Sequence, residues 1–595
     1  MANHTNLLIY LRAGGILSLI ESTLVVATVW FTFIRSRSAE TRDPGFRAVE
    51  AFFSRLAHRK TAAIITCGIA VLVIRIGLIP VLGIPQPTWH DEFSLLLAGD
   101  TFAHGRLTNP THPMWQHFES FHIIEKPTYM SMYPPGGGLV LALGQKLGHP
   151  WIGQLICAAL MCAAFCWMLQ AWVPPGWALY GGFLAVLRLG TLSYWANTYF
   201  CGSLPALGGA LVLGALPRLQ RGARLRDALW MAIGLVTLAN SRPYEGFVFS
   251  LPVAAFMLWW LATEHRFTFA TLFRRVVVPV TLVLSLAAAG MSYYFWRVTG
   301  DPFRMPYQVN RETYAAAPYF VWQHPRPIPV YRHAVMYSFY VGWELMDFEA
   351  GRTFTGFLAR CRHKAIVLWM FYLGPLLTLG FLGFPRAVRD RRMRFPVILA
   401  AVFLVGLLLE TWTGSHYAAP GACLLYLFLA QSFRHLRWWQ WRQLPLGLAL
   451  VRAIPLVAIT MIALRVTAVL AHVQIEPAWA RGNLERAAVV KELRQLPAKS
   501  LVIVHYSENH PSNVEWVYNA ASIDAAKIVW AHDMGRAANE ELIHYFRDRQ
   551  VWLLEADASP PTLARYGSQP NSQPAALPVS TSGPSLKDGR LSGSQ

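Results

Sequence analysis

Charge is what this chain has least of. Only 14% of its 595 residues are Asp, Glu, Lys or Arg, while 54% are apolar and mean hydropathy is +0.34. A soluble globule with so little charge would aggregate, which excludes an ordinary soluble enzyme of this length. Acidic residues are scarcer still, 32 against 52 basic ones. The basic surplus forms no single domain and falls in short segments between apolar runs, which argues against nucleic acid as a partner. Cysteine is sparse, and Cys67, Cys157, Cys162, Cys166 and Cys423 lie inside apolar runs, so no extracytoplasmic disulfide framework is visible. Cys157, Cys162 and Cys166 read as small apolar packers. Also missing are a G-x-G-x-x-G or Walker-type loop, an H-E-x-x-H or paired Cys/His zinc signature, and any internal repeat. The first apolar stretch has no A-x-A-like site and its basic cluster follows it, which predicts a retained span.

What is present is a series of long apolar runs. Thr61 to Leu82, Pro279 to Phe295 and Val397 to Leu409 carry almost no charge and read as membrane spans. Segments 35–60, 217–227, 263–275, 385–395 and 434–452 hold 7, 4, 3, 5 and 4 Lys or Arg, the mark of cytoplasmic loops. Pro85 to Tyr133 holds only Arg106 and Lys126 against Asp91, Glu92, Asp100, Glu119 and Glu125, and is expected on the other side. Threading the runs predicts about twelve crossings, near 15–34, 61–84, 151–172, 176–191, 198–216, 228–240, 246–262, 276–296, 365–384, 396–412, 418–433 and 453–472. Every basic loop then lies inside and both termini outside.

The expected organisation is an additional N-terminal span with a basic segment (1–60) and a transmembrane region (61–475) with outer loops 85–150 and 297–364. A small extracytoplasmic α/β domain (476–556) and a disordered tail (557–595) follow. Within the first loop, Asp91 to His104 should be a helix ending at Gly105, with a second short helix after Pro134-Pro135, both interfacial. The C-terminal domain is read from helical Leu484 to Leu496 and Asn539 to Arg547, and β-rich Leu501 to Tyr506, Lys527 to His532 and Val551 to Glu555.

Trp89-His90-Asp91-Glu92 follows the second span, where a side chain reaches both water and lipid headgroups. The plain structural alternative is a helix start, with Thr88 as cap and the acids favouring the helix dipole. Asn240-Ser241-Arg242-Pro243-Tyr244-Glu245-Gly246, between two spans, offers Arg242 as a phosphate ligand, or a turn in which Arg242 pairs with Glu245. Thr413-Gly414-Ser415-His416-Tyr417, after Glu410, offers His416 and Tyr417 for a phosphate or sugar, or an interfacial anchor. Arg188 is a weaker candidate. Histidines 90, 104, 112, 117 and 122 suggest a metal site that Asp91 could join, although their spacing fits no zinc signature. In the second loop Tyr307, Trp322, His324, Arg332, Tyr337, Trp343, Glu344 and Asp347 mix rings with charge, as sugar-binding and interfacial surfaces both do.

Asp91-Glu92-Phe93-Ser94-Leu95-Leu96-Leu97-Ala98, Gly105-Arg106-Leu107 and Tyr133-Pro134-Pro135-Gly136 together resemble the GT-C superfamily of membrane glycosyltransferases. More narrowly they resemble the family 39-like group of protein O-mannosyltransferases and lipid A aminoarabinose transferases. The match is concentrated in 88–138. It implies transfer of a sugar from a polyprenyl phosphate to an extracytoplasmic lipid, glycan or protein, with no required cofactor, although oligosaccharyltransferases of the superfamily use a divalent ion. Two features depart from the family: Tyr133 stands where many relatives have a basic residue, and a span precedes the usual first helix. Lys126 is then the candidate for the missing charge.

Glycosyl transfer needs a base for the acceptor hydroxyl and cations for the departing phosphate. Asp91 is the expected base, with inversion at the sugar carbon, and Glu92 either orients the acceptor or faces water. Arg242, His416, Lys126, Tyr133 and Tyr417 are the expected donor-binding residues. The rival readings are a polytopic transporter or lipid flippase, against which the lack of repeated halves counts, and a non-catalytic assembly subunit. A bacterial cytoplasmic membrane, or the endoplasmic reticulum as its eukaryotic equivalent, is the expected location.

Overall fold

The computed structural model describes residues 2–37, 44–443, 445–473 and 481–567. Its longer helices begin with α1 (Ala2–Arg37), α2 (Pro44–His58), α3 (Lys60–Gly77), α4 (His90–Ala103), α5 (Pro135–Lys146) and α6 (Pro150–Leu169). They continue with α7 (Pro175–Ala185), α8 (Ser203–Gly222), α9 (Leu225–Ala239), α10 (Pro243–Thr263), α11 (Val278–Thr299) and α12 (Pro306–Tyr314). The last helices of the apolar region are α13 (Phe354–Tyr372), α14 (Arg394–Leu409), α15 (Ala422–Leu436) and α16 (Leu446–Leu470).

Six stretches among the described residues are long and apolar enough to cross a membrane: α3, α6, α10, α16, and the runs Phe269–Thr299 and Arg391–Leu409 that contain α11 and α14. A seventh is α13 joined to Gly374–Ala387, bent by 96°. The bend falls where Gly374 takes a left-handed φ of +59° ahead of Pro375, a residue pair that stops a helix from continuing straight. The chain is thus a multi-pass membrane protein. At the expected spans 176–191, 198–216, 228–240 and 418–433 the chain is helical, in α7, α8, α9 and α15, each shorter or less apolar than those stretches. Cys157, Cys162 and Cys166 are all buried along α6.

Segment 85–150, expected as the first outer loop, is built on α4 and α5. Helix α4 starts with Trp89 rather than Thr88 as its cap residue, because the Glu92 carboxylate reaches back and takes the amide hydrogens of Thr88 and Trp89 at 3.0 and 3.1 Å. The Thr88 hydroxyl is buried without a partner, so the expected Thr88 cap is corrected. Helix α5 buries Leu141 and turns Leu139 and Leu143 outward, 55% and 54% exposed, the one-sided pattern of a short interfacial helix. Between them lies an antiparallel sheet of β1 (Asn109–Pro110), β2 (Ile123–Ile124) and β3 (Thr128–Ser131), with β3 in the middle. Strands of two to four residues are too short to show as alternation in sequence.

The C-terminal domain contains α17 (Leu484–Gln495), β4 (Ser500–His505), β5 (Ile528–His532), α18 (Arg536–Tyr545), β6 (Gln550–Glu555) and β7 (Thr562–Arg565). Its sheet runs β5-β4-β6-β7, with the first three parallel and β7 antiparallel to β6. The last strand lies beyond Ala556, where composition pointed to disorder; residues 568–595 lie outside the described residues. The sheet and α18 press Leu501, Val529, Ala531, Leu542 and Phe546 onto Leu97, Phe118, Ile123 and Tyr129 of segment 85–150, forming one apolar cluster. Around it the Tyr129 hydroxyl donates to the Asn519 carbonyl at 2.9 Å, and the Ser120 hydroxyl to Glu515 Oε2 at 2.8 Å.

Candidate active site

Asp91 sits in the first turn of α4 with 22% of its side chain exposed, between two histidines and a tyrosine. His90 Nδ1 lies 3.1 Å from Asp91 Oδ2, and His122 Nδ1 lies 3.4 Å from Oδ1. The two ring nitrogens face each other at 3.0 Å, so one of them carries the hydrogen between them. The Tyr133 hydroxyl donates to Asp91 Oδ1 and lies 3.2 Å from His122 Nδ1. The sequence folds this way because Ser94, one turn along α4, holds the His122 carbonyl at 2.6 Å and the Ser131 hydroxyl at 2.7 Å. The rings of Phe121 and Phe339 close over His90, their centroids 4.9 and 4.8 Å from it.

Burial pushes the Asp91 carboxyl up, but the neighbouring His122, with His90 beside it, outweighs burial and holds the group well below the usual carboxylate range. Three possible donors around one carboxyl favour the anion. Burial lowers His122, against the pull of Asp91. The Tyr133 hydroxyl is driven well above its usual range by burial and by the Asp91 charge, so it stays protonated as a donor. His90, Asp91 and His122 each offer one ligand atom, all within 4.8 Å of one another.

Glu92 is a different kind of residue from its neighbour. It is 1% exposed, and besides the Thr88 and Trp89 amides its Oε1 accepts from the Tyr199 amide at 2.9 Å. Its burial among these three amides keeps it from facing water, one of the two options read from sequence. Burial raises its carboxyl to about 7, with the three amides and Asp91 as smaller influences.

The second half of the site arrives through the Tyr133-Pro134-Pro135-Gly136 turn. The Gly136 amide donates to the Asn240 carbonyl at 2.8 Å, and a Cβ at Gly136 would stand 2.5 Å from that oxygen. Glycine is therefore what lets this turn lie against the loop ending at Arg242, the N-cap of α10. The Arg242 guanidinium lies 4.3 Å from the Tyr417 ring centroid and 3.3 Å from Glu245 Oε1, with 18% of the side chain exposed. Both Asp91 and Arg242 lie near enough to act electrostatically on the hydroxyls of Tyr133 and Tyr417. His416 joins them: its Nδ1 is 3.0 Å from the Tyr194 hydroxyl and its ring lies 5.1 Å from Phe200. Burial and Arg242 push His416 well below 6.5, so it enters as a neutral ring rather than a cation.

Two expected residues stand apart. Lys126 is exposed, its Nζ 4.3 Å over the Trp115 ring. Arg188 donates to the Met370 and Phe371 carbonyls at 2.6 and 3.1 Å and faces Glu21 of α1 at 3.6 Å, tying the additional N-terminal helix to the bundle. From the second loop, Glu344 takes two hydrogen bonds from Arg311, at 2.8 and 2.9 Å, and the pair lies close enough to act on His90, Asp91 and His122. Arg311 escapes a sequence reading because nothing local separates it from Arg304 or Arg326. Arg332 pairs with Glu119 at 3.1 Å, away from Asp91.

Among solved structures the chain is similar to an oligosaccharyltransferase and to ArnT. The oligosaccharyltransferase is AglB of Archaeoglobus fulgidus, seen tethered with an acceptor peptide; it matches at 11% identity over 84% of this chain and 69% of that one, TM-score 0.45. ArnT of Cupriavidus metallidurans matches in its apo state at 10% identity over 86% of this chain and 93% of that one, TM-score 0.46. Bound to undecaprenyl phosphate it matches at 13% identity over 82% and 92%, TM-score 0.45. At these values the likeness transfers no residue role. No protein-family model matches the chain, and neither does any curated protein.

Proposed function

We propose that this protein is an integral membrane glycosyltransferase that moves a hexosyl or pentosyl group from a polyprenyl phosphate to an extracytoplasmic lipid, glycan or protein acceptor. The observation that carries this reading is the docking of Gly136 on Asn240, which joins the turn whose Tyr133 hydroxyl bonds Asp91 to the loop that ends at Arg242, itself against the Tyr417 ring. One half accepts a proton and the other half meets an anion. In the proposed step Asp91 takes the acceptor hydroxyl proton as the acceptor oxygen bonds the anomeric carbon. The carbon–oxygen bond to phosphate breaks, its electrons leave on the lipid phosphate, and Arg242 stabilises the added charge. With the acceptor between carboxylate and sugar, attack comes from the face opposite the phosphate and the configuration inverts. His90, His122 and Tyr133 orient Asp91, while Tyr417 and His416 wall the donor. Twelve crossings, with the site on the extracytoplasmic side of a cytoplasmic membrane, complete the reading.

The 4.8 Å cluster of His90, Asp91 and His122 supports a second reading of the same trio, as ligands of a divalent cation. One binding experiment tests both halves. Native mass spectrometry of the full chain should show retention of a polyprenyl monophosphate that weakens about tenfold or more in Arg242→Gln, the size expected for a lost charge-assisted contact. Equal retention by wild type and variant contradicts the donor assignment. In the same spectra Zn2+ or Mn2+ bound by wild type and lost in His122→Ala supports the cation; no retention by wild type removes it.

A further inference from the structure

Helices α14 and α15 both start or end at the proposed site and run away from it. Helix α14 ends at Leu409, and Glu410 just beyond acts electrostatically on the Tyr417 hydroxyl; α15 starts at Ala422, five residues past Tyr417. The apolar run Arg391–Leu409 that ends in α14 is long enough to cross the membrane, and α15 leads from Ala422 back to the start of that run, where Gln431 meets Asp390. There the loop ahead of α14 exposes Arg386, Arg389, Arg391 and Arg392, and the loop after α15 exposes Arg437 and Arg442. Gln431 Nε2 donates to Asp390 Oδ2 at 2.9 Å, and Arg386, Asp390 and Arg434 all act on the His435 ring, so the two loops form one patch. Asp390, the one acid in the two loops, is also used to cap Arg392 at 3.0 Å. Among the described residues no ion pair joins these arginines to an acid. Beside them Trp438 and Trp441 stand 77% and 54% exposed.

Charge of one sign alone would satisfy membrane topology with lysine as readily as arginine. Here neither loop holds a lysine. The planar arginine fork matches a phosphate bidentately, and an exposed indole settles at the headgroup level with its ring toward the acyl chains. We propose that the Arg386–Arg392 and Arg437–Arg442 loops form a docking site for the phosphate headgroups of anionic phospholipids in the leaflet opposite the Asp91 site. The proposal is independent of what the outer site transfers.

The test uses the purified full chain in neutral detergent, incubated with equal phosphatidylglycerol and phosphatidylcholine and read by native mass spectrometry. Wild type should retain phosphatidylglycerol over phosphatidylcholine by about tenfold or more, since each basic side chain near an anionic surface contributes about fivefold. The triple variant Arg391→Gln/Arg392→Gln/Arg437→Gln should bring the two lipids near parity, and the exposed outer-loop triple Arg304→Gln/Arg326→Gln/Arg352→Gln should leave the preference unchanged. Trp438→Ser/Trp441→Ser, with charge intact, should lower retention of both lipids. No preference in wild type, an unchanged preference in the patch triple, or an equal loss in the outer-loop triple overturns the proposal. So does displacement of the lipid by inorganic phosphate alone or by an added oligonucleotide, which would assign the patch to a soluble anion or a nucleic acid.

Discussion

Glu92 accepts three backbone amide hydrogens while Asp91, one residue earlier, accepts from side chains at a partly open surface. Replacing Glu92 with glutamine turns one acceptor oxygen into a donor that confronts an amide hydrogen, at about 1–3 kcal/mol. The Glu92→Gln protein should melt at a lower temperature. Its melting temperature should also depend less on pH: with the carboxyl raised from 4.5 to about 7 by burial, the stability tied to this proton is present below about pH 4.5 and is lost as pH rises through about 7. An unchanged melting temperature and an identical pH profile would contradict the structural role. The position of Asp91, an acid just beyond an apolar run, was legible in sequence. The distinct role of Glu92 was not, because Tyr199, which completes its cage, lies 107 positions away. Local sequence likewise cannot tell that His122, rather than His104, His112 or His117, meets Asp91.

The turn Tyr133 to Gly136 joins the two halves of the site at the scale of whole elements. In Gly136→Ala the new methyl meets the Asn240 carbonyl at 2.5 Å, inside any contact distance, so α5 must move off the start of α10. Transfer should fall about tenfold or more, the scale on which small misplacements act on catalysis. Gly176→Ala, where nothing lies within 4 Å, should be neutral in the same assay. If Gly136→Ala also proved neutral, the turn would not position Tyr133. The Pro-Pro-Gly run announced a break before α5, but its partner loop is more than a hundred residues on, so only the break was readable. The mixed pattern of residues 484–555 was readable as well, since two helical stretches, α17 and α18, stand beside runs rich in β-branched and apolar residues. Strand β7 was not, because four residues after a Pro-Pro pair carry no periodicity.

At the scale of the molecule, segment 85–150 shares the Leu97 and Tyr129 cluster with the C-terminal domain, and segment 297–364 joins them through the Phe121, Tyr314 and Phe339 cluster, against which Tyr506 packs. Long apolar runs made the multi-pass character plain from composition. Which helices cross completely was harder to read, because Gly and Pro interrupt them and neighbouring helices bury backbone that lipid could not accept. The most direct measurement is transfer itself: proteoliposomes of wild type and Asp91→Asn supplied with polyprenyl-phosphate sugars and an envelope lipid and glycan extract, with products read by mass spectrometry. Wild type should add one sugar mass to an acceptor, and Asp91→Asn, folded and of normal melting temperature, should do so about 100- to 10,000-fold more slowly. Full activity in the folded Asp91→Asn protein, or no sugar mass added by wild type with any polyprenyl-phosphate donor, would contradict it.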